Sequence, residues 1–137
     1  MKKKICVVLS DYYPDISEML AEGSFRELKA AKKANIIEIG DDPIHVPGIF
    51  EIPVTISKSI DKFNAFIALG CVIKGETPHF NLISKTVINA IMDISIKYKK
   101  PIGNGIITCL NKKQAMVRSK TKGQEAAKAV VLILKHH

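Results

Sequence analysis

Apolar residues along this chain come in short runs that alternate with stretches of helical period. Ile5-Cys6-Val7-Val8-Leu9 is a continuous apolar run rich in β-branched side chains, the pattern of a strand buried on both faces. From Ile16 to about Lys33 the period changes. Ile16, Met19, Leu20, Gly23, Leu28 and Ala31 share one helical face, with acids early and lysines late as the helix dipole favours. Ile36 to Ile39 predicts a second strand. Asp41 to Gly48 predicts a loop, by its Asp, Pro and Gly content. Glu51 to Lys58 predicts a helix with Pro53 in its first turn, and Ala65 to Cys71 a third strand. Phe80 to Tyr98 is the clearest helix, with Ile83, Val87, Ala90, Ile91 and Ile94 on one stripe. Ile102 to Cys109 predicts the fourth strand, followed by two helical stretches from about Lys112 to Arg118 and from Gln124 to Lys135.

Strand and helix alternate, and the connections are long enough for crossovers. That order predicts an α/β fold: a flavodoxin-like three-layer sandwich around a four-stranded parallel sheet. The 137 residues suit one domain spanning 1–137, and 47% hydrophobic with 25% charged residues is an ordinary globular balance. No apolar run reaches the ~20 residues needed to cross a bilayer, and the start lacks a signal-peptide pattern, so the expected location is the cytoplasm, with no membrane partner. The terminal His136 and His137 fit a native end or a tag remnant equally, and carry no weight.

Charge changes the picture slightly. Twenty-one Lys and Arg against 13 acids give a formal net charge of +8. The excess is lysine spread over helices, aromatics are few and no nucleic-acid motif appears, so nucleic acid is not the expected partner. A basic surface that attracts small anions fits better. Cys6, Cys71 and Cys109 are odd in number and widely spaced, which matches neither a disulfide framework nor a zinc site.

In an open parallel sheet, ligands bind outside the carboxyl ends of the strands. Four segments leave those ends: Ser10 to Pro14, Val46 to Glu51, Cys71 to His79, and Thr108 to Arg118. Thr77-Pro78 looks like an N-cap with proline at the first helical position, so the long helix is expected to begin there. Lys74, the flexible Gly75 and the helix's free N–H groups then make an anion site. His79 lies beside it in the expected first turn, and imidazole is the usual proton shuttle near neutral pH. His45 reads as a plain loop histidine. Phe50 or Tyr12 offers a stacking face, and Glu51 a carboxylate for a hydroxylated chain.

Gly48-Ile49-Phe50-Glu51-Ile52-Pro53, then Gly70-Cys71-Val72-Ile73-Lys74-Gly75-Glu76-Thr77-Pro78-His79-Phe80, then Arg118 with Lys122-Gly123 closely resemble the 6,7-dimethyl-8-ribityllumazine synthase family. The resemblance covers nearly the whole chain, and the two middle motifs together are highly specific. It implies a cofactor-free, metal-free condensation of 5-amino-6-(ribitylamino)uracil with 3,4-dihydroxy-2-butanone 4-phosphate in riboflavin biosynthesis, releasing phosphate and water. It also implies roles. Tyr12 would stack on the pyrimidine; Ile49, Phe50 and Glu51 would hold ring and ribityl chain; Val72 and Ile73 would contact the pyrimidine through their backbone. Beside Lys74, the residues Gly75, Glu76 and Thr77 would cradle phosphate through backbone and hydroxyl donors, and His79 would transfer protons. Asn104 and Arg118 match positions that a neighbouring subunit contributes, Arg118 pairing with phosphate, and Lys122 matches a lysine near the same site.

Where the family has Phe or Trp, Ala or Ser, and Arg, this chain has Tyr12, Ile49 and Lys74. The segment from Arg118 to Lys122 is several residues shorter, and the family's extra N-terminal strand is missing. Family members form pentamers, some of them stacked or built into shells, and these trims point to a plain pentamer with sites shared between subunits. Riboflavin synthase is the other protein partner the resemblance suggests. Two rival readings use the same scaffold: the smaller class of riboflavin synthase, which needs no phosphate site, and a non-enzymatic flavin-binding or assembly protein, for which His79 would be surplus.

Overall fold

The computed structural model describes residues 2–40, 42–76 and 78–136; Met1, Asp41, Thr77 and His137 lie outside the described residues. Strand β1 (Lys3–Ser10) is followed by helix α1 (Pro14–Lys33), and two short strands follow, β2 (Ile37–Ile39) and β3 (Ile44–Val46). A single turn of 3₁₀-helix (Ile49–Glu51) leads into α2 (Ile52–Lys58). Then come β4 (Ala65–Ile73), α3 (Phe80–Tyr98), β5 (Ile102–Cys109) and α4 (Lys112–Lys135).

All strand pairs are parallel, and β1 and β4 lie at the centre, with β5 on one edge. The flavodoxin-like sandwich is as expected. Five strands fill its four positions, because β2 and β3 share one edge of β1: Lys3 faces Ile37, and further along Ser10 faces Val46. The segment expected to be wholly loop thus contains a strand. Pro43 and Pro47 flank Ile44–Val46 instead of interrupting it, and an edge position tolerates them.

Alternation along β1 sorts the core into two layers. Ile5, Val7 and Leu9 join Ile16, Leu20 and Leu28 of α1 and Ala126, Ala127 and Val130 of α4. Cys6 and Val8 join Ile52 and Ile56 of α2 and Val87 and Ile91 of α3 on the other face. Strand β4 is buried throughout and runs two residues beyond its expected end, which makes Val72 and Ile73 sheet residues.

The two helical stretches expected at the C-terminus are one helix. Gly123 does not break it. A Cβ there would lie 2.0 Å from the Leu20 carbonyl oxygen, so the glycine is where α4 packs backbone-close on α1. The Ser24 hydroxyl donates to the Gly123 carbonyl across the same contact, at 2.6 Å.

Candidate active site

The carboxyl ends of β1, β3 and β4 open into a pocket of about 180 Å³. Tyr12, Tyr13, Ile49, Phe50, Val72 and Glu76 are among the residues that line it. Each is delivered by a strand end. Tyr12 and Tyr13 follow β1, and Tyr13 caps α1, its carbonyl accepting from the Ser17 amide at 2.9 Å. The Tyr12 and Tyr13 rings meet edge to face, with centroids 4.9 Å apart. Tyr12 and Phe50 are 66% and 63% exposed, so two aromatic faces stand open to a ligand.

Glu51 follows Phe50 but is turned back. Its carboxylate accepts from the Gly48 amide at 3.0 Å and holds the tight turn that presents Ile49 and Phe50. Glu51 is not among the residues that line this pocket; it lines an adjoining groove between α2 and α3, which Phe50 shares.

After β4 the chain makes a compact loop. The Lys74 amide donates to the Cys109 carbonyl at 2.8 Å, and the Glu76 amide to the Ile73 carbonyl at 3.2 Å. Gly75 has φ of +90°, a conformation that strains other residues, and open space surrounds the position a Cβ would take. The Tyr13 hydroxyl donates to the Glu76 carboxylate at 2.5 Å, bridging the ends of β1 and β4.

The helix after this loop starts later than its Thr-Pro signature predicts. Helix α3 begins at Phe80, and His79 occupies the cap position, its carbonyl accepting from the Ile83 amide at 2.8 Å. The expected N-cap and phosphate ligand Thr77 lies outside the described residues. Pro78 precedes the helix instead of opening it. Lys74, Gly75 and His79 line a second depression, which runs from this loop to the start of α3.

Within one chain, then, Tyr12, Ile49, Phe50, Val72 and Glu76 share a pocket. Lys74, Gly75 and His79 share the second depression. Ile73 is buried in the core beneath. Asn104, Arg118 and Lys122 line neither. Asn104 is exposed on the edge strand β5, its side chain accepting from the Ile106 amide at 3.1 Å. Arg118 is exposed on α4 and donates to the Thr108 carbonyl at 2.8 Å. Lys122 follows one turn later on the same helix, half-buried.

The 6,7-dimethyl-8-ribityllumazine synthase family model matches residues 2–137. The chain belongs to that family. Its members are transferase-type enzymes acting in riboflavin biosynthesis. Over 143 residues the chain is 39% identical to 6,7-dimethyl-8-ribityllumazine synthase 1 of Rhodopseudomonas palustris, covering 96% of this chain and 84% of that one. It is 36% identical over 140 residues to the synthase of Nitrobacter hamburgensis, covering 94% and 82%. With that of Agrobacterium fabrum it shares 35% identity over 144 residues, covering 97% and 93%.

Three features of the structure escape the sequence reading. Tyr13 is the first; its place between a strand end and Pro14 at a helix start was the available signal. The second is His45, which lies in β3 and meets both carboxylate oxygens of Asp11 at 2.9 Å. The third is Cys71, which is buried and lines the pocket. Burial, helped by the adjacent Cys109 thiol, pushes its thiol up to about 12, so it is a neutral wall and not a nucleophile near neutral pH.

Proposed function

We propose that the chain condenses 5-amino-6-(ribitylamino)uracil with 3,4-dihydroxy-2-butanone 4-phosphate to give 6,7-dimethyl-8-ribityllumazine, working in the cytoplasm as a homopentamer of one-domain subunits. One observation carries the reading: the two motifs that are specific to the family both put residues into the same pocket, Ile49 and Phe50 from one and Val72 and Glu76 from the other.

Tyr12 and Phe50 sandwich the pyrimidine, Val72 offers backbone groups to its polar edge, and the Glu51 oxygen not used by Gly48 accepts from ribityl hydroxyls. The phosphate lies on the Lys74–Gly75 side of the loop, where an ammonium and a turn of backbone amides favour an anion. The substrate amine attacks the ketone, water leaves and an imine forms; phosphate is then eliminated and ring closure releases a second water. Holding the two reactants in register supplies most of the acceleration, and His79 relays protons from the edge of the depression.

Arg118, Lys122 and Asn104 complete the site from an adjacent copy. Their position on β5 and α4, outside their own chain's pocket, supports this. Exposed Leu82, Met92 and Ile96 on α3 support a face covered by further copies. Among the described residues no helix is long and apolar enough to cross a membrane, and the three cysteines form no disulfide. Association with riboflavin synthase is part of the same proposal.

Incubating the purified protein with both substrates tests the reaction. Fluorescent lumazine should accumulate well above the rate in buffer, and only when both substrates are present. Consumption of added lumazine without its formation would instead favour the small riboflavin synthase reading.

A further inference from the structure

Glu76 is out of place in a loop that is to hold a phosphate. A carboxylate beside the bound dianion would repel it, and the turn at Gly75 leaves the neighbouring space open. The structure shows what restrains that carboxylate. Tyr13 reaches from the cap of α1 and donates its hydroxyl to Glu76 at 2.5 Å, on the pocket side of the loop. Lys74 and Gly75 line a separate depression, which Glu76 does not line. The loop backbone is pinned independently, by Lys74 to Cys109 and Glu76 to Ile73, so the phenol acts on the side chain and not on the turn itself.

We infer that Tyr13 is a positioning residue: its hydroxyl holds the Glu76 carboxylate away from the Lys74–Gly75 face, leaving that face free for an anionic phosphate. This rests on the loop being the phosphate site of the proposed reaction. Burial, together with the bond to Glu76, raises the Tyr13 phenol above its ordinary range, so it remains a protonated donor at any working pH. Only a donor of this kind can serve. A second carboxylate would add repulsion, and a phenylalanine ring would fill the same space while leaving the Glu76 charge unrestrained.

The test compares the parent with Tyr13→Phe, Glu76→Gln and the double variant, after thermal melts verify that each folds. Inorganic phosphate binding is measured by calorimetry, and steady-state kinetics with both substrates give KM and kcat. Tyr13→Phe should weaken phosphate binding about tenfold, the size expected for losing one charge-assisted hydrogen bond. KM for the butanone phosphate should rise by a similar factor, with a smaller change in KM for the pyrimidine. In the Glu76→Gln background the same substitution should change phosphate affinity less than twofold, because no charge remains to restrain. Equal loss in both backgrounds overturns the inference, as does unchanged phosphate affinity in Tyr13→Phe, or a parent that binds no phosphate. Should the parent bind phosphate with this Tyr13 dependence yet form no lumazine, the inference stands and the reaction assigned above falls.

Discussion

Arg118 donates to the carbonyl of Thr108, 2.8 Å away, and so lies over the end of its own β5 and outside its own chain's pocket. One guanidinium nitrogen also reaches the Cys109 sulfur, at 3.8 Å, which leaves the rest of the fork for another anion. A planar fork anchored on one side and open on the other is suited to a phosphate held by two oxygens.

Arg118→Ala should therefore reduce kcat/KM about a hundredfold, and Arg118→Lys should recover only part of it, since an ammonium lacks the fixed fork. Steady-state kinetics decide this, and a lysine variant as active as the parent would remove the bidentate role. In the proposed pentamer, refolding Arg118→Ala together with His79→Ala should restore activity above the sum of the two alone. Some interfaces would then join an intact His79 to an intact Arg118.

His79→Ala should slow turnover by roughly ten- to a few hundred-fold. General acid–base catalysis contributes about 10²–10⁴, while the alignment of the reactants survives the change. An unaltered kcat in this variant would leave His79 with its place in the cap of α3 and nothing more.

Four of the five strands, the α1 and α3 stripes and the strand ends at which the pocket opens were legible in the sequence, because hydrophobic period reports burial directly. What was not legible depends on partners distant in sequence. Gly123 reads as a helix break until Leu20 is seen against it. Ile44–Val46 reads as loop until Val8 to Ser10 supply its ladder. His45 has no distinguishing neighbours in sequence, yet Asp11 meets it across 34 positions. Thr77-Pro78 carries a strong local capping signal, and here the helix starts beyond it at Phe80. Ile49, Phe50, Val72 and Glu76 of the two motifs line the pocket; that Arg118 is held at the end of β5 without lining it had to be seen in three dimensions.

Gly123→Ala should destabilise the fold by about 1–3 kcal/mol, the usual range for overpacking, because a Cβ 2.0 Å from the Leu20 oxygen forces α1 and α4 apart. Gly23→Ala, whose Cβ would meet the Gln124 amide at 3.0 Å, should cost less. Urea midpoints give the order, and a reversed order would contradict the contact.

Cys71 sets a pH dependence. Its folded value, about 12, lies above the 9.0 of the free thiol, so the neutral thiol contributes stability that is fully present below pH 9 and is lost as the pH rises towards 12. Above pH 9 the parent's melting temperature should fall more steeply than that of Cys71→Ala, which has no thiol to ionise on unfolding. Parallel pH profiles would mean that Cys71 ionises equally in both states.

The condensation itself is tested most directly by stoichiometry. Purified protein is given both substrates, and inorganic phosphate and fluorescent lumazine are measured in the same reaction. The account predicts one phosphate released for each lumazine formed, at a protein-dependent rate that Arg118→Ala depresses. Phosphate release without lumazine, or tight flavin binding with neither product, would contradict it.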